Sequence, residues 1–187
     1  MIRIAATCEP PTEMAPSLRF DLPARPDRPA LRRRIEDLAI VATPLVVGGL
    51  SGVATIDGVR TWYRTLDRPT WTPPDAVFGP VWTTLYAMMG VALRDLIRSG
   101  APADRRRLGI GLFALQLTLN AGWSWIFFVR HDLAAALVEI LALWAAIAAT
   151  IVAFGRVRTR AAALLVPYLG WVTFATALTA AIWTANR

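Results

Sequence analysis

The chain has 187 residues, 56% of them hydrophobic, and a formal charge of +7 to which arginine is the only basic contributor, since no lysine occurs. Charged residues make up 18% of it, against about a quarter in a soluble domain, which excludes an ordinary water-soluble fold of this size. The arginines stand between apolar runs rather than on one face of a folded module, so the basic balance points to membrane topology and anionic headgroups, not to nucleic acid. The single cysteine, Cys8, excludes an internal disulfide framework or a cysteine-based zinc cluster.

Residues 1–37 hold six prolines, seven arginines and no apolar stretch long enough for a signal-peptide core. They read as a disordered Arg/Pro-rich tail, and Glu9, Glu13, Asp21 and Asp27 make them more acidic than an amphipathic targeting presequence. Residues 38–187 form one membrane domain. Its five apolar runs, 38–56, 76–93, 108–129, 133–154 and 161–185, are each close to the roughly 20 residues that a helix needs to cross a bilayer core. The second gains length through Ile97, with Pro80 expected in its first turn, where a missing N–H is harmless. The predicted fold is therefore an all-α integral membrane protein, a five-transmembrane-helix bundle with short connections and one long loop between helices 1 and 2.

Fifteen arginines fall on the N-terminal side of this plan and five on the other. In a bacterial cell membrane the positive-inside rule then places the N-terminus and both Arg-rich loops in the cytoplasm. The long loop and the C-terminus would lie outside.

The long loop carries Trp62, Tyr63 and Trp71 beside Pro69, Pro73 and Pro74. Prolines fix φ and remove donors, so this segment is a stiff, non-helical connection. Its aromatics suit either a headgroup-level belt or a lid over an apolar pocket. In the second helix Trp82, Tyr86, Met89 and Leu93 share one face; so do Gln116, Asn120, Trp123 and Phe127 in the third, and Tyr168, Trp171, Ala175 and Leu178 in the fifth. Lipid cannot satisfy the amides of Gln116 and Asn120, so their stripe faces protein, water or a ligand. Interhelical glue and pocket wall both fit that periodicity.

Glu139, about six residues into the fourth run, is either a functional intramembrane acid or a neutral packing group. Gly48 and Gly52 form a GxxxG step that can seat a neighbouring helix, which leaves a homodimer open. His131 stands on a short loop without the companion ligand a zinc site wants, and reads as a solvated loop residue. Neither a metal nor a cofactor is expected.

Together these stretches resemble the TspO/translocator family, also called the tryptophan-rich sensory protein or peripheral benzodiazepine receptor family. The resemblance rests on Trp62-Tyr63, Arg68-Pro69-Thr70-Trp71-Thr72-Pro73-Pro74, Pro80-Val81-Trp82-Thr83 with Leu85-Tyr86, Gln116-Leu117 with Leu119-Asn120 and Trp123-Ser124, Ala136-Leu137-Val138-Glu139, and Pro167-Tyr168-Leu169 with Trp171-Val172. It implies a pocket under the long loop, with ligand-binding residues Trp71, Trp82, Tyr86, Gln116, Asn120, Trp123, Tyr168, Trp171 and Ala175. It also implies a receptor or sensor whose partners are a porphyrin or other hydrophobic small molecule and membrane lipid, with Arg64 or Arg68 pairing propionates. The alternatives are light- and oxygen-dependent porphyrin breakdown through Trp82 and Trp171, or small-molecule transport. Two departures stand out. No arginine follows Tyr168 before Arg187, which puts the family's cholesterol motif in doubt, and Thr179 stands where many relatives have Asn, a change expected to alter hydrogen bonding between helices.

Overall fold

The structure, a computed structural model, describes residues 28–187; residues 1–27, with Cys8 and most of the expected tail, lie outside the described residues. The elements are α1 (Arg28–Arg60), a 3₁₀ turn (Trp62–Thr65), α2 (Asp75–Ile97), α3 (Ala103–Phe128), α4 (Leu133–Gly155), α5 (Thr159–Ala163) and α6 (Val166–Ala185), with no strand among the described residues. Five helical segments, the last formed by α5 and α6 together, are long and apolar enough to span a bilayer. The protein is a multi-pass integral membrane protein.

α1 begins at Arg28, inside the stretch assigned to the disordered tail, so residues 28–37 are helix. Pro29 sits in the first turn, where the lost N–H costs nothing. One turn further, Arg32 Nε donates to Glu36 at 3.1 Å; Arg98 donates to Glu36 and Asp37, both at 2.9 Å, and Arg94 to Asp37 at 3.1 Å. Each exposed pair contributes little alone, but together they fasten the start of α1 to the end of α2. A 33-residue helix is about 50 Å long against a hydrocarbon core near 30 Å, so its first turns stand clear of the lipid tails.

Pro80 also differs from expectation. α2 starts at Asp75, which puts Pro80 in the second turn, where it removes an internal donor instead of standing harmlessly at the start. The fifth span breaks at Leu164–Leu165, just before Pro167, whose ring and missing N–H prevent one unbroken helix.

Around the bundle the order is α1, α2, α5–α6, α4, α3 and back to α1. The α1–α2 contact is close enough that a Cβ on Gly90 would fall on the Val41 backbone, and a Cβ on Gly58 would strike the Phe128 carbonyl of α3. Small residues thus bring α1 against both neighbours. Below the middle, Leu93, Leu96, Phe113, Ile147, Phe154 and Leu165 close a solid core. Above it, toward the long loop, α2 and α6 meet through rings, Trp82 with Tyr168 at 6.2 Å and Phe78 with Trp171 at 5.7 Å.

Candidate ligand pocket

In that upper half the helices enclose a cavity of about 460 Å³, within the range of small-molecule sites. α2 contributes Phe78, Gly79, Trp82 and Tyr86; α3 contributes Trp123, Ser124, Phe127 and Phe128; α6 contributes Trp171, Phe174, Ala175 and Leu178. Tyr63 from the 3₁₀ turn joins them at the top. α1 supplies a low wall of Leu45, Gly48, Gly49, Gly52, Thr55 and Val59, which fall on one helical face by their spacing. A Cβ on Gly48 would land on the Tyr86 ring, whereas one on Gly49 or Gly52 would meet nothing within 4 Å. The GxxxG step therefore has two jobs here: Gly48 seats Tyr86, and Gly52 leaves room.

The expected site residues divide by position. Trp82, Tyr86, Trp123, Trp171 and Ala175 line the cavity. Asn120, Tyr168 and Gln116 lie behind the wall, each at most 3% exposed. Tyr86 Oη donates to Asn120 Oδ1 at 2.6 Å, and Asn120 Nδ2 donates to Tyr168 Oη at 3.2 Å. This chain joins α2, α3 and α6 and fixes the plane of Tyr86, on which Trp82 stacks at 5.3 Å. The amide of Asn120 thus faces protein, and its part in the pocket is to position the floor. Both amide atoms of Gln116, Nε1 of Trp123 and both carboxyl oxygens of Glu139 are buried without a hydrogen-bond partner among the described residues. Glu139 lies across from Gly122 of α3.

Trp71 stands outside the cavity, half exposed, with its edge on Phe174 at 5.7 Å. Phe174 in turn packs on Trp171 at 5.4 Å, so Trp71 caps an aromatic series that continues to Phe78. The loop is held at several points. Asp67 N–H donates to Asn186 Oδ1 and Asn186 Nδ2 donates to the Asp67 carbonyl, both at 2.9 Å. Arg68 pairs with Asp75 at 3.5 Å and lies over the Tyr63 ring at 4.9 Å. Tyr63 packs on Phe127 and Phe128. Burial pushes its phenol above the usual range, with the Arg68 guanidinium pulling the other way. Arg64 is exposed and makes no ion pair among the described residues.

His131 is exposed but not merely solvated: its ring stacks on Trp62 at 4.3 Å, and its φ of 56° makes the tight turn from α3 to α4. Thr179 donates to the Ala175 carbonyl of its own helix at 2.8 Å, so its hydroxyl proton is used within α6. No group of three or more metal-ligating side chains occurs among the described residues.

A model of the TspO/MBR family matches residues 40–184, the segment that builds both the bundle and this cavity. The chain belongs to the TspO/MBR family. It is 42% identical over 157 residues to the tryptophan-rich protein TspO of Chlorobaculum tepidum, an alignment covering 83% of this chain and 99% of the relative. It is 39% identical over 149 residues to the tryptophan-rich protein TspO of Archaeoglobus fulgidus, covering 80% and 95%. To the human translocator protein it is 41% identical over 132 residues, covering 70% and 78%. In this TspO/MBR chain the sequence motifs pointed to the aromatic walls. They did not assign the α1 glycines to the pocket, although small residues recur from Gly48 to Thr55, and of the phenylalanines that line it, Phe127 stood on the third-helix stripe while Phe78, Phe128 and Phe174 carried no expected ligand contact.

Proposed function

We propose that this protein is a membrane receptor or sensor for porphyrin-like tetrapyrroles, modulating their level or the signal they carry. The observation that carries the reading is the cavity itself, an apolar slot with Trp82, Trp123 and Trp171 on its walls and a wall of glycine opposite. Flat indoles suit a flat conjugated macrocycle, and aromatic pairs contribute about 0.5–1.5 kcal/mol beyond area burial. The glycine wall leaves width for a ligand broader than a single ring. Arg64 of the loop, exposed and without an ion pair among the described residues, is the group proposed to meet a propionate, since Arg68 is already engaged with Asp75. Titrating the purified protein with protoporphyrin IX tests the proposal: saturable quenching of tryptophan fluorescence in the micromolar range is expected, and its absence would overturn it.

A second reading has one observation behind it, that Trp82 and Trp171 line the same cavity. A light-excited tetrapyrrole held against these indoles, with dioxygen as co-reactant, could be broken down there. Loss of illuminated product formation in Trp82→Phe and Trp171→Phe, with dark binding retained, would favour it. Equal product from both variants and the parent would remove it.

A further inference from the structure

At the opposite end of the bundle, where the arginine-rich connections lie, a second cavity of about 330 Å³ is lined by Arg105, Leu108, Ala153 and Arg156. Arg105 and Leu108 are three residues apart on α3, as are Ala153 in the last turn of α4 and Arg156, the capping residue just past its end, which keeps helical φ and ψ, so each pair spans close to one turn. α3 and α4 run antiparallel. The two guanidinium-bearing residues therefore share the outer level, with Leu108 and Ala153 about one turn deeper toward the hydrocarbon. Neither Arg105 nor Arg156 has an ion pair among the described residues; the carboxylate next in sequence, Asp104, has none either, and Arg106, Arg107 and Arg158 add further positive charge. Deeper still the face continues past Gly111, where an added Cβ would meet nothing within 4 Å, to the exposed Leu115.

We propose that this groove binds an anionic phospholipid, with the phosphodiester between Arg105 and Arg156 and one acyl chain along Leu108, Gly111 and Leu115. The order of the residues is that of the lipid itself, charge at the helix ends and an open apolar track below, and basic pockets between helices at this level suit anionic headgroups. Free inorganic phosphate could meet the same two guanidiniums but would gain nothing from the track. A second copy of the chain is a poorer occupant, because symmetric pairing through this groove would bring the arginines of both copies together.

The test is native mass spectrometry of the full chain in detergent, titrated with short-chain phosphatidylglycerol, with phosphatidylcholine as the neutral comparison. Removing both arginines (Arg105→Gln with Arg156→Gln) is expected to weaken phosphatidylglycerol binding about thirtyfold, while the equal charge loss in Arg106→Gln with Arg107→Gln changes it less than about twofold. Gly111→Leu keeps every charge and is expected to weaken the lipid by blocking the acyl track. It stands in should the arginine variant fold poorly, as checked by its melting temperature. Equal losses in the two arginine pairs, equal binding of phosphatidylcholine, or displacement by millimolar inorganic phosphate would overturn the proposal. So would a change in oligomeric state without a change in lipid affinity.

Discussion

Gly48 and Gly52, one turn apart on α1, have opposite surroundings, and substitution should separate them. A methyl on Gly48 would collide with the Tyr86 ring; Gly48→Ala should therefore shift Tyr86, strain its 2.6 Å bond to Asn120 and lower the melting temperature in detergent, in the range of about 1–3 kcal/mol for overpacking. Gly52 faces open cavity. Gly52→Leu should leave the melting temperature unchanged or raise it, yet abolish porphyrin quenching by filling the slot. Equal quenching by Gly52→Leu and the parent would mean that the porphyrin sits elsewhere. Asn120 offers a third case. Its replacement by Ala removes the partner of the buried Tyr86 and Tyr168 hydroxyls, at a cost on the order of 1–3 kcal/mol for each unsatisfied group, though partners found within a membrane reduce such penalties. The expected signature is lower thermal stability and weaker porphyrin binding at unchanged far-UV helicity, because the Tyr86 ring, not the amide, lines the cavity. These residues also mark how far the sequence could be read. A large aromatic on a helix stripe has to go somewhere apolar, so Trp82, Trp123 and Trp171 were legible. A glycine contributes to a pocket by what it lacks, and nothing in the spacing of Gly48 and Gly52 distinguishes a helix seat from an open wall.

At the scale of elements, the five spans were legible because lipid admits only helices and closed barrels and runs of about 20 apolar residues fit the helix, and the ends were less so because they depend on partners. α1 extends back to Arg28 through ion pairs with Arg94 and Arg98, which are distant in sequence. The long loop shows the same limit. Its prolines predicted stiffness, whereas its attachment comes from Asn186, more than a hundred residues away, which both accepts from and donates to the backbone of Asp67. Trp71 touches Phe174 from outside the cavity, so this part of the loop forms a roof edge on the aromatic wall, whereas Tyr63 at the loop's start belongs to the lining. Two changes should loosen that roof without disturbing the helices: Asn186→Ala, which removes the attachment, and Pro73→Ala with Pro74→Ala, which softens the approach to α2. Ordering the loop on a bound ligand would then cost backbone entropy of roughly 1–2 kcal/mol per residue fixed. The expected result is a porphyrin off-rate raised by about tenfold with little change in on-rate, read by stopped-flow displacement. Unchanged off-rates in both variants, with only a lower melting temperature, would assign Trp71 to a headgroup belt.

Across the whole molecule, polarity is divided between two ends. The solid core occupies the half of the bundle that carries Arg94, Arg98, Arg105 to Arg107 and Arg156 to Arg160, and the cavity occupies the half that carries the long loop and the C-terminus. Such a division makes orientation a functional matter, because it decides which side of the membrane the cavity and its overlying loop face. The excess of arginine on the first end predicts that this end faces the cytoplasm in a bacterial cell membrane, with the roof outside. In a Cys8→Ser background, single cysteines at two exposed positions report the answer: Thr70→Cys on the loop and Thr159→Cys at the start of α5. A membrane-impermeant maleimide added to intact spheroplasts should label Thr70→Cys, and should reach Thr159→Cys only after lysis. The opposite pattern would turn the molecule over and put the pocket mouth on the cytoplasmic side, where a tetrapyrrole would arrive from metabolism and not from outside. Labelling of both positions before lysis would mean a mixed orientation. The arginines would then be too evenly read by the insertion machinery to set topology, and their charge at the ends of α3 and α4 would be left to the lipid headgroups alone.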